Sequence, residues 1–261
     1  MTSIEPQFIE VGHGAAQRRI AVLLTRSDSR NAAKPGLFWL PGFKSEMTSL
    51  KATALAEWGA GQERAVTRFD YSGHGLSGGR FEDGSIGRWL EEAMITFRTF
   101  TDGRQVIVGS SMGGHIALLL LRELQASGEA DRVAGLVLIA PAWDMTRLLW
   151  SRLPESARSE VMEKGVWMRP SRYGDGPYPI TRGLIEDGRK HLIGDAPYDP
   201  GCPVRILHGL QDPDVPYEHS LDLVAHLSGD WTRMTAVPDG EHRLSRPEDL
   251  AVMLGLVAEI G

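Results

Sequence analysis

Short runs of β-branched and other apolar residues recur along the chain. Between them lie stretches in which apolar positions return every three or four residues. Gln7–Val11 and Arg18–Leu24, separated by Gly12-His13-Gly14, read as an antiparallel hairpin. Leu37–Leu40, Ala65–Phe69, Gln105–Val108, Val133–Ile139, Val204–Leu207 and Thr232–Val237 read as further strands. Val133–Ile139 is almost wholly apolar, the pattern of a strand covered on both faces. Helical spacing fills the gaps: near Ser49–Trp58, from Asp83 or Ser85 to about Phe100, from His115 onward, near Tyr217–Leu227, and from about Pro247. Strand alternating with helix predicts an α/β architecture: a mostly parallel, eight-stranded sheet flanked by helices.

One segment breaks this rhythm. From about Ala142 to Gly194 no core strand is predicted, yet the stretch holds Trp143, Trp150, Trp167, Tyr173 and Tyr178. Met145–Gly165 has helical spacing, and Gly165–Pro179 is rich in Gly and Pro with interspersed aromatics. A connection this long inside a compact domain is usually functional. It reads as a cap, at about 142–194, inserted over a site in one domain spanning 1–261. The plainer alternative is a peripheral helical excursion packing its own aromatics.

Val106 to Gly114 reads Val-Ile-Val-Gly-Ser-Ser-Met-Gly-Gly and passes straight into a helical pattern. Strand, G-x-S-x-G and helix is the nucleophile-elbow context of an α/β-hydrolase. The turn is too tight for side chains beside the serine, and it lifts the Ser111 oxygen clear of the sheet. Ser110 fills the variable position and is expected to hydrogen-bond locally. A serine needs a base to take its proton and a carboxylate to orient that base. In this fold they follow in the order serine, acid, histidine. Asp212 is the preferred acid, since it follows the strand Val204–Leu207 in a turn; Asp144 and Asp214 are the alternatives. His242 lies in Asp239-Gly-Glu-His-Arg, after the last strand, where the fold delivers its base. His74, in a Gly-His-Gly turn before the nucleophile, and His208, behind the acid loop, read as structural. His226 reads as a surface side chain, and His115 as packing or pocket wall. The oxyanion hole is expected from the backbone N–H of Met112 and of Phe43 in Leu40-Pro-Gly-Phe-Lys. Trp143, Trp150 and Trp167 are candidates for an apolar substrate pocket, with packing inside the cap as the alternative for each.

Composition narrows the setting. The 261 residues are 42% hydrophobic and 24% charged, enough for a large core. A net charge of −6 argues against a nucleic-acid binder or one that seeks anionic membranes. Cys202 is the single cysteine, so no internal disulfide forms and a reducing compartment is expected. The run Ile116–Leu121 is too short to span a bilayer. The N-terminus shows no signal-peptide pattern, which makes a cytoplasmic location the expectation. No His/Cys cluster has metal-ligand spacing and no phosphate loop occurs, so neither metal nor cofactor is expected. Oligomeric state is not legible.

With these residues placed, the chain resembles the α/β-hydrolase superfamily over essentially its whole length. More narrowly it resembles the palmitoyl-protein thioesterase and mycophenolic-acid acyl-glucuronide esterase family. The matching stretches are Leu40-Pro-Gly-Phe, Arg68-Phe-Asp-Tyr-Ser-Gly-His-Gly-Leu-Ser, Val108-Gly-Ser-Ser-Met-Gly-Gly and Leu207-His-Gly-Leu-Gln-Asp. Lys164-Gly-Val-Trp-Met-Arg-Pro-Ser-Arg-Tyr in the cap and Glu241-His-Arg at the base loop are similar too. The cap match is the more telling, because caps diverge fastest among hydrolases sharing only a fold. The resemblance implies the triad Ser111, Asp212 and His242 and an acyl thioester or ester as substrate, with an acylated protein as one form of it. No transit peptide is visible, which points to a bacterial-type cytoplasmic protein. The alternatives within enzymes are a general carboxylesterase or lactonase, C–C bond hydrolysis or peptide cleavage. Outside them stands a non-catalytic ligand-binding protein on a hydrolase scaffold.

Overall fold

A computed structural model describes residues 5–25, 34–171 and 176–261. Arg172 and Tyr173, noted above in the cap, lie outside the described residues. The sheet has eight strands: β1 (Gln7–Val11), β2 (Arg18–Thr25), β3 (Gly36–Leu40), β4 (Val66–Phe69), β5 (Gln105–Ser110), β6 (Val133–Ile139), β9 (Val204–Gly209) and β10 (Thr232–Val237). Their order is β1-β2-β4-β3-β5-β6-β9-β10. β2 pairs antiparallel with β1 and β4, and every pairing from β4 to β10 is parallel. The eight-stranded, mostly parallel sheet that the pattern predicts is therefore the one observed.

The double coverage follows from the side-chain period of two. Phe38, Leu40, Ile107, Leu136 and Leu138 enter a core shared with α2 (Ile86–Phe100), α3 (Met112–Ala126) and α7 (Tyr217–His226). Their neighbours Leu37, Trp39, Val106, Val108, Val137 and Ile139 enter the opposite core, against α1 (Leu50–Gly61) and α8 (Pro247–Ala258). Both sets are apolar because both faces are covered. Each fully buried Leu, Ile or Val there contributes about 1.5–3 kcal/mol. α3 is buried from Met112 through Leu121, which explains why its sequence is apolar on nearly every side.

The excursion between β6 and β9 carries α4 (Met145–Arg152), α5 (Glu155–Lys164), the antiparallel pair β7 (Val166–Arg169) and β8 (Tyr178–Thr181), and α6 (Arg182–Gly188). The single helical pattern predicted over Met145–Gly165 is two helices. Pro154 stands at the N-cap of α5 in extended conformation and interrupts the backbone ladder there. Leu153, Ala157, Val161, Ile180 and Ile185 give the excursion a small core of its own. Among the described residues no helix is long and apolar enough to cross a membrane.

Candidate active site

The site gathers loops at the carboxyl ends of β3, β5, β9 and β10, where open parallel sheets place their clefts. β5 ends at Ser110, and Ser111 then adopts φ 54°, ψ −114°, a region that costs strain for a side-chain-bearing residue. Its N–H is held by the Ile139 carbonyl at 2.8 Å, and its own carbonyl accepts from Gly114 at 2.9 Å and Ala142 at 3.1 Å. The flanking glycines are a steric requirement: a Cβ at Gly109 would collide with the Gly113 carbonyl, and one at Gly113 with the Leu40 carbonyl.

His242 comes to Ser111 from the loop after β10, with Nε2 at 3.0 Å from Ser111 Oγ. Its Nδ1 lies 2.7 Å from Asp212 Oδ2. The Asp212 side chain is fully buried, and its Oδ1 accepts the N–H groups of Asp214 at 2.8 Å and Val215 at 2.9 Å. With Oδ1 spent on the turn, Oδ2 is left to the imidazole, so the turn fixes both the carboxylate and the tautomer it selects. Ligand-type atoms of Asp212, Asp214 and His242 lie within 4.8 Å of one another, but of the two Asp212 oxygens Oδ1 is already engaged by the turn and Oδ2 by the imidazole.

Asp144, one of the two other acids the sequence offers, is spent elsewhere. It is buried at the N-cap of α4, and its Oδ1 accepts the Ile193 N–H at 2.7 Å. Burial raises its pKa, opposed by that hydrogen bond and by Arg147. His115 is fully buried rather than on the wall of the Ser111 cavity; its Nδ1 accepts the Asp144 N–H at 3.1 Å, and burial pushes its pKa down to about 3. His208 is fully buried behind the acid loop, bonded to Ser220 Oγ at 2.7 Å and the Val215 carbonyl at 3.1 Å. His226 is not the plain surface residue expected, because its ring stacks on Trp143 at 5.2 Å and its Nε2 is buried.

A cavity of about 610 Å³ opens on Ser111 and His242. Of the three tryptophans expected in it, Trp167 lines it and the other two do not. Trp143 donates its indole N–H to the His219 carbonyl at 2.8 Å and is sandwiched between the His219 and His226 rings. Trp150 packs in the excursion's own core beneath the Arg189 guanidinium. The wall instead includes Met145, Leu148, Leu149 and Arg152, the i, i+3, i+4, i+7 face of α4. That spacing is readable in the sequence and was the signal available for them. Phe43, Tyr178 and Ile180 add apolar surface, and Lys44, Lys51, Arg169 and Arg243 bring positive charge to the same cavity. Burial, helped by Arg243, pushes the Lys51 ammonium down to about 8.

The β3 loop reaches Ser111 at Gly42, whose missing Cβ would sit 3.1 Å from the Ser110 carbonyl oxygen and 3.4 Å from Ser111 Cβ. Among the described residues, neither the Phe43 N–H nor the Met112 N–H donates to a protein group.

The fold and cleft together are those of a hydrolase, and the comparisons agree. The profile of the serine aminopeptidase S33 family (Hydrolase_4) matches residues 33–173, and the chain belongs to the α/β-hydrolase superfamily. Within it the chain falls in the family of the mitochondrial palmitoyl-protein thioesterase ABHD10. It is 30% identical to the Pongo abelii protein over 252 residues, 94% of this chain and 81% of that one. The mouse ABHD10 structure superposes with TM-score 0.84 at 28% identity, covering 98% of each chain. A putative hydrolase from Agrobacterium vitis S4 superposes with TM-score 0.94 at 44% identity, again over 98% of each.

Proposed function

We propose that the protein is a serine hydrolase that cleaves acyl thioesters or esters through an acyl-enzyme. The observation that carries this reading is the unbroken chain Ser111 Oγ, His242 Nε2, His242 Nδ1, Asp212 Oδ2, at 3.0 and 2.7 Å, opening on an apolar cavity. Ser111 Oγ attacks the acyl carbonyl carbon while His242 Nε2 takes its proton, and Asp212 holds the Nδ1–H and stabilises the imidazolium. The carbonyl oxygen, now an alkoxide, accepts from the Phe43 and Met112 N–H groups. Collapse expels the thiolate or alkoxide with the proton from His242, leaving the acyl group on Ser111. His242 then deprotonates a water that releases the carboxylic acid and restores the serine.

The excursion at about 142–194 acts in this reading as a cap within one domain, with Met145, Leu148, Leu149 and Trp167 suited to an acyl chain. The thioester is favoured by the name of the ABHD10 relatives, palmitoyl-protein thioesterase, which also makes an acylated protein one form of the substrate. The reading includes a cytoplasmic setting, which suits the single, buried Cys202. Mitochondrial location belongs to the relatives' name.

The test is kcat/KM for one medium acyl chain offered as a thioester, an oxyester and an acyl glucuronide, with Ser111→Ala as control. A thioester that leads after correction for intrinsic reactivity supports the thioesterase reading. An oxyester or glucuronide that leads makes the enzyme a carboxylesterase. Turnover that survives Ser111→Ala overturns the mechanism.

A further inference from the structure

The Gly73-His74-Gly75 turn carries a buried imidazole that the reaction described above does not use. His74 Nδ1 lies 3.1 Å from the Ser72 carbonyl, which can only accept, so Nδ1 carries the proton. Nε2 is then a lone-pair acceptor, and it takes the backbone N–H of Lys44 at 3.1 Å. Lys44 is in the left-handed region at φ 57° and follows Phe43 directly. With its N–H spent on His74, Lys44 is excluded as an oxyanion donor, and Phe43 keeps an N–H that no protein group takes among the described residues. The turn is closed by Ser45 N–H on the Gly42 carbonyl at 3.0 Å.

The two rings also share a cage. Phe81 stands 4.9 Å from Phe43 and 5.1 Å from His74, and Trp89 stands 5.8 and 5.5 Å from them. A second tie lies farther along the same loop, where Asp70 Oδ1 accepts the Met47 N–H at 2.7 Å. The loop after β4 therefore grips the loop after β3 at two points, and the grip nearer the reacting atoms is the imidazole. Protonating Nε2 would set one N–H against another. Burial pushes the His74 pKa down to about 4, which keeps the acceptor available throughout the neutral range.

We infer that His74 is a positioning residue of the oxyanion hole, a neutral imidazole that fixes the Phe43 N–H through the Lys44 backbone. This rests on the triad mechanism proposed above. It requires that losing the acceptor harm the tetrahedral state far more than the bound ground state, because only the former carries charge on the oxygen.

The experiment compares wild type with His74→Phe, His74→Gln and His74→Asn. The Gln amide oxygen reaches about as far as Nε2, and the Asn oxygen does not. Each is assayed for kcat and KM on one activated ester, for inhibition by a boronic acid that becomes tetrahedral on Ser111, and for binding of the matched ether, which has no carbonyl oxygen. His74→Phe is expected to lower kcat on the order of 10²-fold, with KM and ether binding within about 3-fold. Boronate affinity should fall in parallel, and His74→Gln should recover most of both losses. If His74→Phe does not fold, His74→Gln must still exceed His74→Asn by about 10-fold in kcat and boronate affinity. Equal losses in Phe and Gln, boronate and ether binding that fall together, or an unchanged kcat in His74→Phe would overturn the inference alone. A wild type without Ser111-dependent turnover would overturn the mechanism beneath it.

Discussion

Asp144 Oδ1 accepts the backbone N–H of Ile193 at 2.7 Å, and this bond fastens the far end of the excursion to its beginning. Replacing Asp144 with Ala leaves a buried N–H without a partner, at a cost of about 1–3 kcal/mol. Denaturant unfolding should show that loss, and limited proteolysis should cut more readily within residues 145–192. Stability and cleavage rates equal to wild type would mean the clasp is not needed.

The two buried acids near the cleft have opposite roles in this reading, and conservative substitutions separate them. Asp212→Asn can no longer select the Nδ1–H tautomer, so kcat should fall on the order of 10⁴-fold with the fold intact. Asp144→Asn keeps an acceptor for Ile193 and should leave kcat within about 3-fold. Equal losses in the two variants would return the assignment of the acid to doubt.

Trp167 faces the cavity whereas Trp150 packs beside Arg189 in the excursion's own core. Trp167→Ala should therefore lower kcat/KM for a long acyl chain about 10-fold or more, and leave a short one nearly unchanged. Trp150→Ala should lower both alike, through stability alone. A chain-length profile across both variants decides it.

His115 gives a pH prediction with a definite sign. Its pKa in the fold is about 3, against 6.5 when exposed, because burial, helped by Arg122, disfavours the cation. Between those values the unfolded chain holds a proton that the folded one does not. Its stabilisation is complete above pH 6.5 and is lost as pH falls towards 3, with about 2 kcal/mol gone by pH 5. Burial raises the pKa of Asp70, Glu92 and Asp144, which pull the other way, so the comparison is wild type against His115→Asn. Asn keeps an acceptor near the Nδ1 position and does not titrate. Its stability should fall less steeply from pH 7 to pH 5, and parallel curves would refute the assignment.

What was legible in the sequence tracks how burial writes on it. β3, β5, β6 and β9 are covered on both faces and largely apolar, so their runs announced them and placed Ser111 and Asp212 at strand ends. The excursion wrote less. β7 and β8 are half exposed and four residues each, too short and mixed to declare a period. Trp143 shows the further limit: its apolar bulk was visible, but which way the ring turns depends on His219 and His226, distant in sequence. His74 likewise read as a turn-holder, and its partner Lys44, 30 residues earlier, becomes evident only once β3 and β4 lie side by side.

The bond between His242 and Ser111 joins residues 131 positions apart, and no local segment contains it. Ser111 belongs to the middle of the sheet and His242 to the loop beyond its last strand, so β6 and β9 separate the strands that carry them, and β6, β9 and β10 must all be paired for them to meet. Closing so long a loop is entropically costly until the intervening strands are paired. Under the proposed mechanism, reactivity of the serine is for that reason a reporter of completed folding: during refolding it should return with the slowest phase, after helix content has recovered.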